Sequence, residues 1–356
     1  MTIETMEAVI RMAVERINQE KPGQSLGVIF FGGEPLLQRD LIAKTVRFCR
    51  EIEENTGQQF HFKITTNGLL LDESFLTDPD TRDIFIALSH DGVQAAHDTH
   101  RVDPAGDGCF DRLSPRIDLL LKHKPYAPVM SVVTPETVQY YADSVDYLFR
   151  RGFHYLIFSL NYGATWSDRQ LRELKRQYKK IADWYYERTL VEDKFYFSPF
   201  EVKIASHVFP GICRAERCEL GQRQISVAPH GRLYPCVQFV DDGSDTTYAI
   251  GHATTGIDEE ARARVYTMNA VENNDCAGCA IRERCNHYCG CLNKQATGRI
   301  DTVAPLLCAH ERIVLPIADA LAAKLFKRRN PLFIQKHYNE LYPLLSLVED
   351  RTEGKG

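Results

Sequence analysis

Residues 27–35 read Gly-Val-Ile-Phe-Phe-Gly-Gly-Glu-Pro: an apolar run, two glycines, a carboxylate and a proline. Short apolar runs rich in branched and aromatic residues form strands, and proline is favoured at the first position of a helix. The stretch therefore joins a strand to a helix. Ahead of it, Met6, Val9, Ile10, Ala13, Val14 and Ile17 recur at helical spacing, and behind it a second helix is expected around Leu41 to Cys49. Further strands are expected at His61 to Thr66, Ile84 to Ser89, Val129 to Val133 and His154 to Leu160. Helices are expected near Leu113 to Leu121, from Val138 to Phe149 with Gly152 as the stop, and along Leu171, Leu174, Tyr178, Ile181 and Tyr185. Five strands alternating with helices specify an α/β fold, a parallel sheet wrapped by crossover helices.

Periodicity fades after residue 195, where Cys, Gly, Pro and Asn become frequent, and regular helix is expected again from Arg312 to Phe326. The chain divides on this basis into a strand–helix part (1–195), a cysteine-rich part (196–311) and a helical extension (312–356) whose residues 349–356 are expected to fray. Nine of the eleven cysteines lie between Cys213 and Cys308. Their order is Cys213-x4-Cys218-x12-Gly231-x4-Cys236, then Cys276-x2-Cys279-x5-Cys285-x3-Cys289, with Cys291 close behind, then Cys308. Two groups of four thiolates suit two tetrahedral sulfur sites, and soft thiolates select zinc or iron–sulfur clusters. A zinc ribbon shares the Cys-x2-Cys spacing. Iron, labile sulfide and a brown absorbance near about 400 nm distinguish the cluster.

A disulfide scaffold would need an oxidising compartment, but the N-terminus reads as an amphipathic helix, not a signal, and no apolar run approaches the ~18 residues of a span. A cytoplasmic protein without a membrane partner is expected. The net charge of −5 provides no field for a polyanion, so nucleic acid is excluded, and Lys324, Lys327, Arg328 and Arg329 read as a solvated helix face. Cys49 and Cys109 read as ordinary residues, and His287, His310 and His337 as packing or surface residues.

Three strands end in polar, glycine-bearing turns: Gly32-Gly33-Glu34-Pro35, Thr65-Thr66-Asn67-Gly68 and Ser89-His90-Asp91-Gly92. Loops at the carboxyl ends of parallel strands share one rim, where ligands bind. Glycines allow close backbone approach and Glu34 offers an acceptor for an ammonium. A tight strand-to-helix connection explains the first turn equally, and Asn67 and Asp91 are also turn formers before glycine.

Phe30-Phe31-Gly32-Gly33-Glu34-Pro35, Thr66-Asn67-Gly68, Ser89-x-Asp91-Gly92 followed by His97, Asp98 and Arg101, and the cysteine order together resemble a radical S-adenosylmethionine (AdoMet) enzyme with a SPASM auxiliary-cluster domain. The resemblance covers nearly the whole chain. It implies a partial (β/α) barrel lacking its first strand, with Gly32, Gly33, Glu34 and Pro35 around the methionine amino group. Asn67, Ser89 and Asp91 fall where that family handles substrate, methionine carboxylate or ribose. It further implies two auxiliary 4Fe–4S clusters, one on Cys213, Cys218, Cys236 and Cys289, the other on Cys276, Cys279, Cys285 and Cys308. Cys291 rivals Cys289, and without Cys213 one iron would be open to a substrate thiolate. The implied partners are a ribosomally made, cysteine-rich peptide and a reductant such as flavodoxin or ferredoxin.

The chain departs from that family in two places. The Cys-x3-Cys-x2-Cys that holds the AdoMet-cleaving cluster does not occur, and its place would precede residues 3–18, so a sequence starting at an internal methionine is expected. Val237 follows Cys236 where sulfatase-maturing relatives carry a proton-accepting aspartate. Residues 248–251, 293–298 and 333–339 resemble peptide maturases acting on cysteine-repeat (CXXX-type) precursors. Hydrogen abstraction with oxidative crosslinking, such as thioether formation, is the implied reaction; a sulfatase-maturing oxidase and a catalytically dead peptide-binding module are the alternatives. Because the cofactor performs the radical step and the protein positions it, the chain alone is expected to form no 5′-deoxyadenosine from AdoMet under dithionite. Anaerobic reconstitution followed by chromatography tests this, and steady product formation would refute it.

Overall fold

In the computed structural model, which describes residues 1–209, 218–270 and 274–352, the expected alternation of strands and helices is present. The strands are β1 (Leu26–Phe30), β2 (Phe60–Thr66), β3 (Phe85–Ser89), β4 (Val129–Val133), β5 (Tyr155–Leu160) and β6 (Tyr196–Phe197). They form one sheet in the order β1-β2-β3-β4-β5-β6, and the pairs β1–β2, β2–β3, β4–β5 and β5–β6 are parallel. The sixth strand was not expected; two residues are too few to show a period. Along β2 the burial alternates, with Phe60, Phe62, Ile64 and Thr66 inward, whereas Ile86, Ala87 and Leu88 of β3 are buried in succession, as in a parallel strand covered on both faces.

Local chemistry sets the helix ends. Thr2 caps Ile3–Glu20 by accepting from the Thr5 N–H, and Gly57, at φ 76°, ends Arg39–Thr56 in the left-handed conformation that glycine tolerates. Ser167 and Gln170 form a capping box for Asp168–Leu190. The late helix starts at Pro305, not Arg312, because proline fits the first helical turn, and Cys308 therefore lies on it. The expected fraying of 349–356 is corrected in part: Tyr342–Thr352 is a helix, and Lys194 bonds Glu349 at 2.9 Å and Asp350 at 2.8 Å. No described helix is long and apolar enough to cross a membrane.

Two compact units are present. The first comprises Met1–Leu88, Cys218–Ala277 and Tyr288–Val303; Leu220, Leu233, Tyr234, Phe239, Ile250 and Val265 form a core there, with Val9 and Met12 of the first helix packed on it. The second comprises Ser89–Arg217, Gly278–His287 and Ala304–Gly356. Its core packs Tyr141, Phe158, Tyr178, Phe197 and Phe200 in tilted and edge-to-face pairs, and it buries an ion pair, Lys203–Glu311 at 2.7 Å.

Gly92, after β3, has φ 106°, and a Cβ there would lie 2.0 Å from Ser144 Cβ. Gly92→Ala combines left-handed strain with a clash and is expected to cost about 2–3 kcal/mol. Urea denaturation measures it; an unchanged midpoint would contradict the turn geometry.

Candidate functional site

The loop after β1 is braced from inside the protein. Glu34 Oε1 accepts from the Leu36 N–H at 2.9 Å and the Thr66 hydroxyl at 2.7 Å, while Oε2 accepts from the Asn67 N–H at 2.8 Å. One carboxylate thus ties the end of β1 to the end of β2, and Pro35 opens the short helical turn Pro35–Gln38. Gly32 and Gly33 are exposed, and a Cβ at either would meet nothing within 4 Å. Neither glycine N–H bonds to a described residue. No clash with the chain itself requires glycine at these two positions, and their bare backbone is open to a ligand.

The other two strand ends are braced as well. Asn67 Oδ1 accepts from the Leu69 N–H at 3.0 Å, closing a turn. Ser89, the last residue of β3, is half-buried. Asp91 is buried and fully engaged: Arg101 binds it through two nitrogens at 2.6 and 3.0 Å, and the Val132 N–H reaches Oδ1 at 2.9 Å. Beneath this pair His90 and His97 stack with centroids 4.2 Å apart, and Phe110 and Tyr147 lie against them. Burial, followed by the neighbouring His97, pushes His90 down to about 2; burial, followed by Arg101, pushes His97 down to about 4. A histidine beside Asp91-Gly92 carries no periodic signal, so this pair was not legible as a buried group.

The cysteines gather in two environments. In the first unit, Cys236, Cys289 and Cys291 are in mutual reach: Cys291 hydrogen-bonds to both of the others. The bonds with Cys291 hold Cys236 and Cys289 well below the ordinary thiol range, while Cys291 is pushed up. Gln238, Val237 and Gln224 further lower Cys236, and the Leu292 and Cys291 amides further lower Cys289. Cys289 is the N-cap of Gly290–Thr297. Cys218 is half-buried in the same unit; Cys213 lies outside the described residues.

In the second unit, Arg312 bonds to the Cys308 thiol and to Cys279 Sγ, the latter at 3.5 Å. Cys285 is buried beside them, pushed up to about 12 by burial and by Glu311. Cys276 closes the turn Asn274–Cys276 in the first unit. None of the ten described cysteines is in a disulfide. Cys49 and Cys109 are buried apart from the other thiols, and His310 is a packing residue bridging the hydroxyls of Tyr162 and Tyr178 at 2.8 and 2.7 Å.

Among the described residues no three His, Cys, Asp or Glu side chains converge to hold one metal ion. An iron–sulfur cluster asks for something else: each thiolate binds a different iron, and N–H donors to sulfur tune the cluster. The thiols of Cys236, Cys289 and Cys291 at one apolar core are the soft donors that such a group takes.

No family model matches the chain. It is similar to the cysteine-type anaerobic sulfatase-maturating enzyme of Clostridium perfringens, 22% identical over 247 residues, 66% of this chain and 65% of the relative. The match thus spans less than two thirds of that relative's length. Among solved structures it resembles native anSMEcpe with bound AdoMet and Cp18Cys peptide, with TM-score 0.72, 18% identity and 92% of each chain covered. It also resembles Streptococcus suis SuiB bound to precursor peptide SuiA, with TM-score 0.54, 15% identity, and 85% and 69% of the two chains covered. These likenesses establish the α/β fold with its parallel sheet.

His90 and His97 remain neutral in the fold, whereas in the unfolded chain they take protons below the ordinary value of 6.5. Their contribution to stability is therefore complete above pH 6.5 and falls as pH drops toward 4. Urea midpoints at several pH values should show this loss, with a shallower slope in His97→Gln; identical slopes would contradict it.

Proposed function

We propose that this chain forms the AdoMet-binding and auxiliary-cluster portion of a radical AdoMet/SPASM enzyme that oxidatively modifies a peptide or protein. The observation that carries this is the gathering of Cys236, Cys289 and Cys291 at one apolar core, Cys236 and Cys291 buried and Cys289 partly buried. The likenesses to an AdoMet- and peptide-bound enzyme and to a precursor-bound one support it. Residues 1–195 would be the partial barrel, 196–311 the cluster domain and 312–356 a helical extension. A flavodoxin or ferredoxin would reduce the AdoMet-cleaving cluster in the cytoplasm, where free thiols persist.

Bound AdoMet with its reduced cluster supplies the hydrogen-abstracting power, and auxiliary clusters accept electrons. The chain's own residues position. Gly32 and Gly33 would lie along the methionine amino group, and Glu34 would hold that loop in place, since its carboxylate is occupied by Leu36, Thr66 and Asn67. Pro35 would fix the turn behind them. Ser89 and Asn67 would face the ligand rim, and Asp91 would act through Arg101, as a brace. The second cluster would use Cys279, Cys285 and Cys308 of the second unit, with Arg312 beside Cys279 and Cys308.

Within this class, crosslinking of a cysteine-rich ribosomal peptide, such as thioether formation, is the favoured reaction. Similarity to the sulfatase-maturating enzyme supports formylglycine formation as a second reading. Val237 opposes it: its side chain packs on the apolar core and offers no proton acceptor. The nearest carboxylate in sequence, Asp241, is used by the Tyr234 hydroxyl and the Gly243 and Asp245 N–H groups.

Calorimetric titration of the anaerobically reconstituted chain with AdoMet tests the loop. Gly33→Val should weaken binding by about tenfold or more, equivalent to about 1.4 kcal/mol, while iron content stays constant. Equal affinity in the variant would remove the glycine loop from the site.

A further inference from the structure

We propose that Lys294, set against the rings of Phe239 and Tyr248, forms a subsite that binds a carboxylate of the peptide substrate, an assignment that rests on the peptide-modifying role proposed above. Nothing in that role uses residues 248–251 and 293–298, and the fold brings the two stretches together. Lys294 Nζ lies 4.8 Å from the Phe239 ring centroid and 5.0 Å from that of Tyr248. The two rings meet edge to face with centroids 5.1 Å apart, and both are buried. All three residues belong to the first unit.

An exposed lysine ordinarily runs its stem along the surface and keeps its ammonium in water. Lys294 is half-buried, and two aromatic faces replace part of that water. The rings attract the charge but leave the N–H donors unused: Lys294 Nζ makes no hydrogen bond or ion pair with a described residue. Arg299, the next cation along the chain, is the contrast, since Asp301 takes two of its nitrogens at 2.9 and 2.6 Å. A partly dehydrated ammonium with free donors gains more from an anionic oxygen than a hydrated one does.

The neighbouring groups define the anion. Asp245, held low first by its Thr247 hydrogen bonds, also feels the Lys294 charge, and Asp241 and Asp242 lie on the same loop. That acidic rim disfavours a polyanion and suits a single carboxylate. Beside it, Gln295 Nε2 donates to Gln238 Oε1, which leaves the Gln238 amide nitrogen and the Gln295 carbonyl oxygen without a partner among the described residues. Gln238 adjoins Phe239, and Gln295 adjoins Lys294. One donor and one acceptor next to an ammonium complement a peptide group next to a carboxylate. Val237–Phe239, the turn directly after Cys236, carries one half of this subsite and Gly290–Thr297 the other. The carboxylate is an Asp or Glu side chain, or the C-terminus of the peptide.

Calorimetric titration of the anaerobically reconstituted full chain tests the subsite with three peptides of the pattern Ala-Cys-Ala-Ala-X-Ala. In the first X is Asp and both ends are blocked; in the second X is Asn and both ends are blocked; in the third X is Asn and the C-terminal carboxylate is free. Wild type should bind at least one acidic probe about fivefold more tightly than the blocked Asn probe, and the acidic probe it prefers identifies the source of the carboxylate. Lys294→Met keeps a stem against the rings without the charge and should bind all three alike, with iron content and circular dichroism unchanged. Lys294→Arg should retain the preference, and so should Lys327→Met, at an exposed lysine of the second unit. Equal affinity of wild type for the three probes, or a preference that survives in Lys294→Met, would overturn the subsite and leave the peptide-modifying role standing. A wild-type chain that binds none of the probes would overturn both.

Discussion

A buried sulfur surrounded by hydrogen-bond donors is the constraint on which the rest of this molecule turns. The amides of Val237 and Gln238 help hold the Cys236 thiol low, and those of Cys291 and Leu292 the Cys289 thiol. Such donors favour the thiolate over the thiol, yet a bare thiolate in an apolar core is costly to bury. A bound cation, as proposed above, would resolve the conflict. The surrounding core of Leu220, Leu233, Tyr234 and Phe239 supplies the dry shell that such a group requires.

The strand ends follow a related principle. Each polar motif at the ends of β1, β2 and β3 is satisfied from within: Glu34 by three donors, Asn67 by its own turn, Asp91 by Arg101 and Val132. The side chains that attract attention in the sequence do the holding. What they leave open is backbone, at Gly32 and Gly33, and this is how a loop presents amide groups to a small ligand without collapsing. A braced loop gives up little ordering entropy on binding, which favours affinity.

Much of this was legible because it is periodic. The strands from 26 to 160 and the helices between them announced themselves through spacing, and the residue after each strand through its turn chemistry. β6 escaped because two residues have no period, and the helix start at Pro305 because Leu306, Leu307 and Cys308 were read with the cysteine-rich segment. Ligand partition was not legible for a different reason. Spacing counts residues along the chain, whereas a cluster reads distances across it. The roles of Asn67 and Asp91 likewise depended on partners at Leu69, Arg101 and Val132, none of which the local motif specifies.

The most direct measurement is anomalous diffraction at the iron edge from crystals of the anaerobically reconstituted chain. Iron bonded to the sulfurs of Cys236 and Cys289 is the result this account requires. A zinc ion, a disulfide or empty density between those two sulfurs would contradict it.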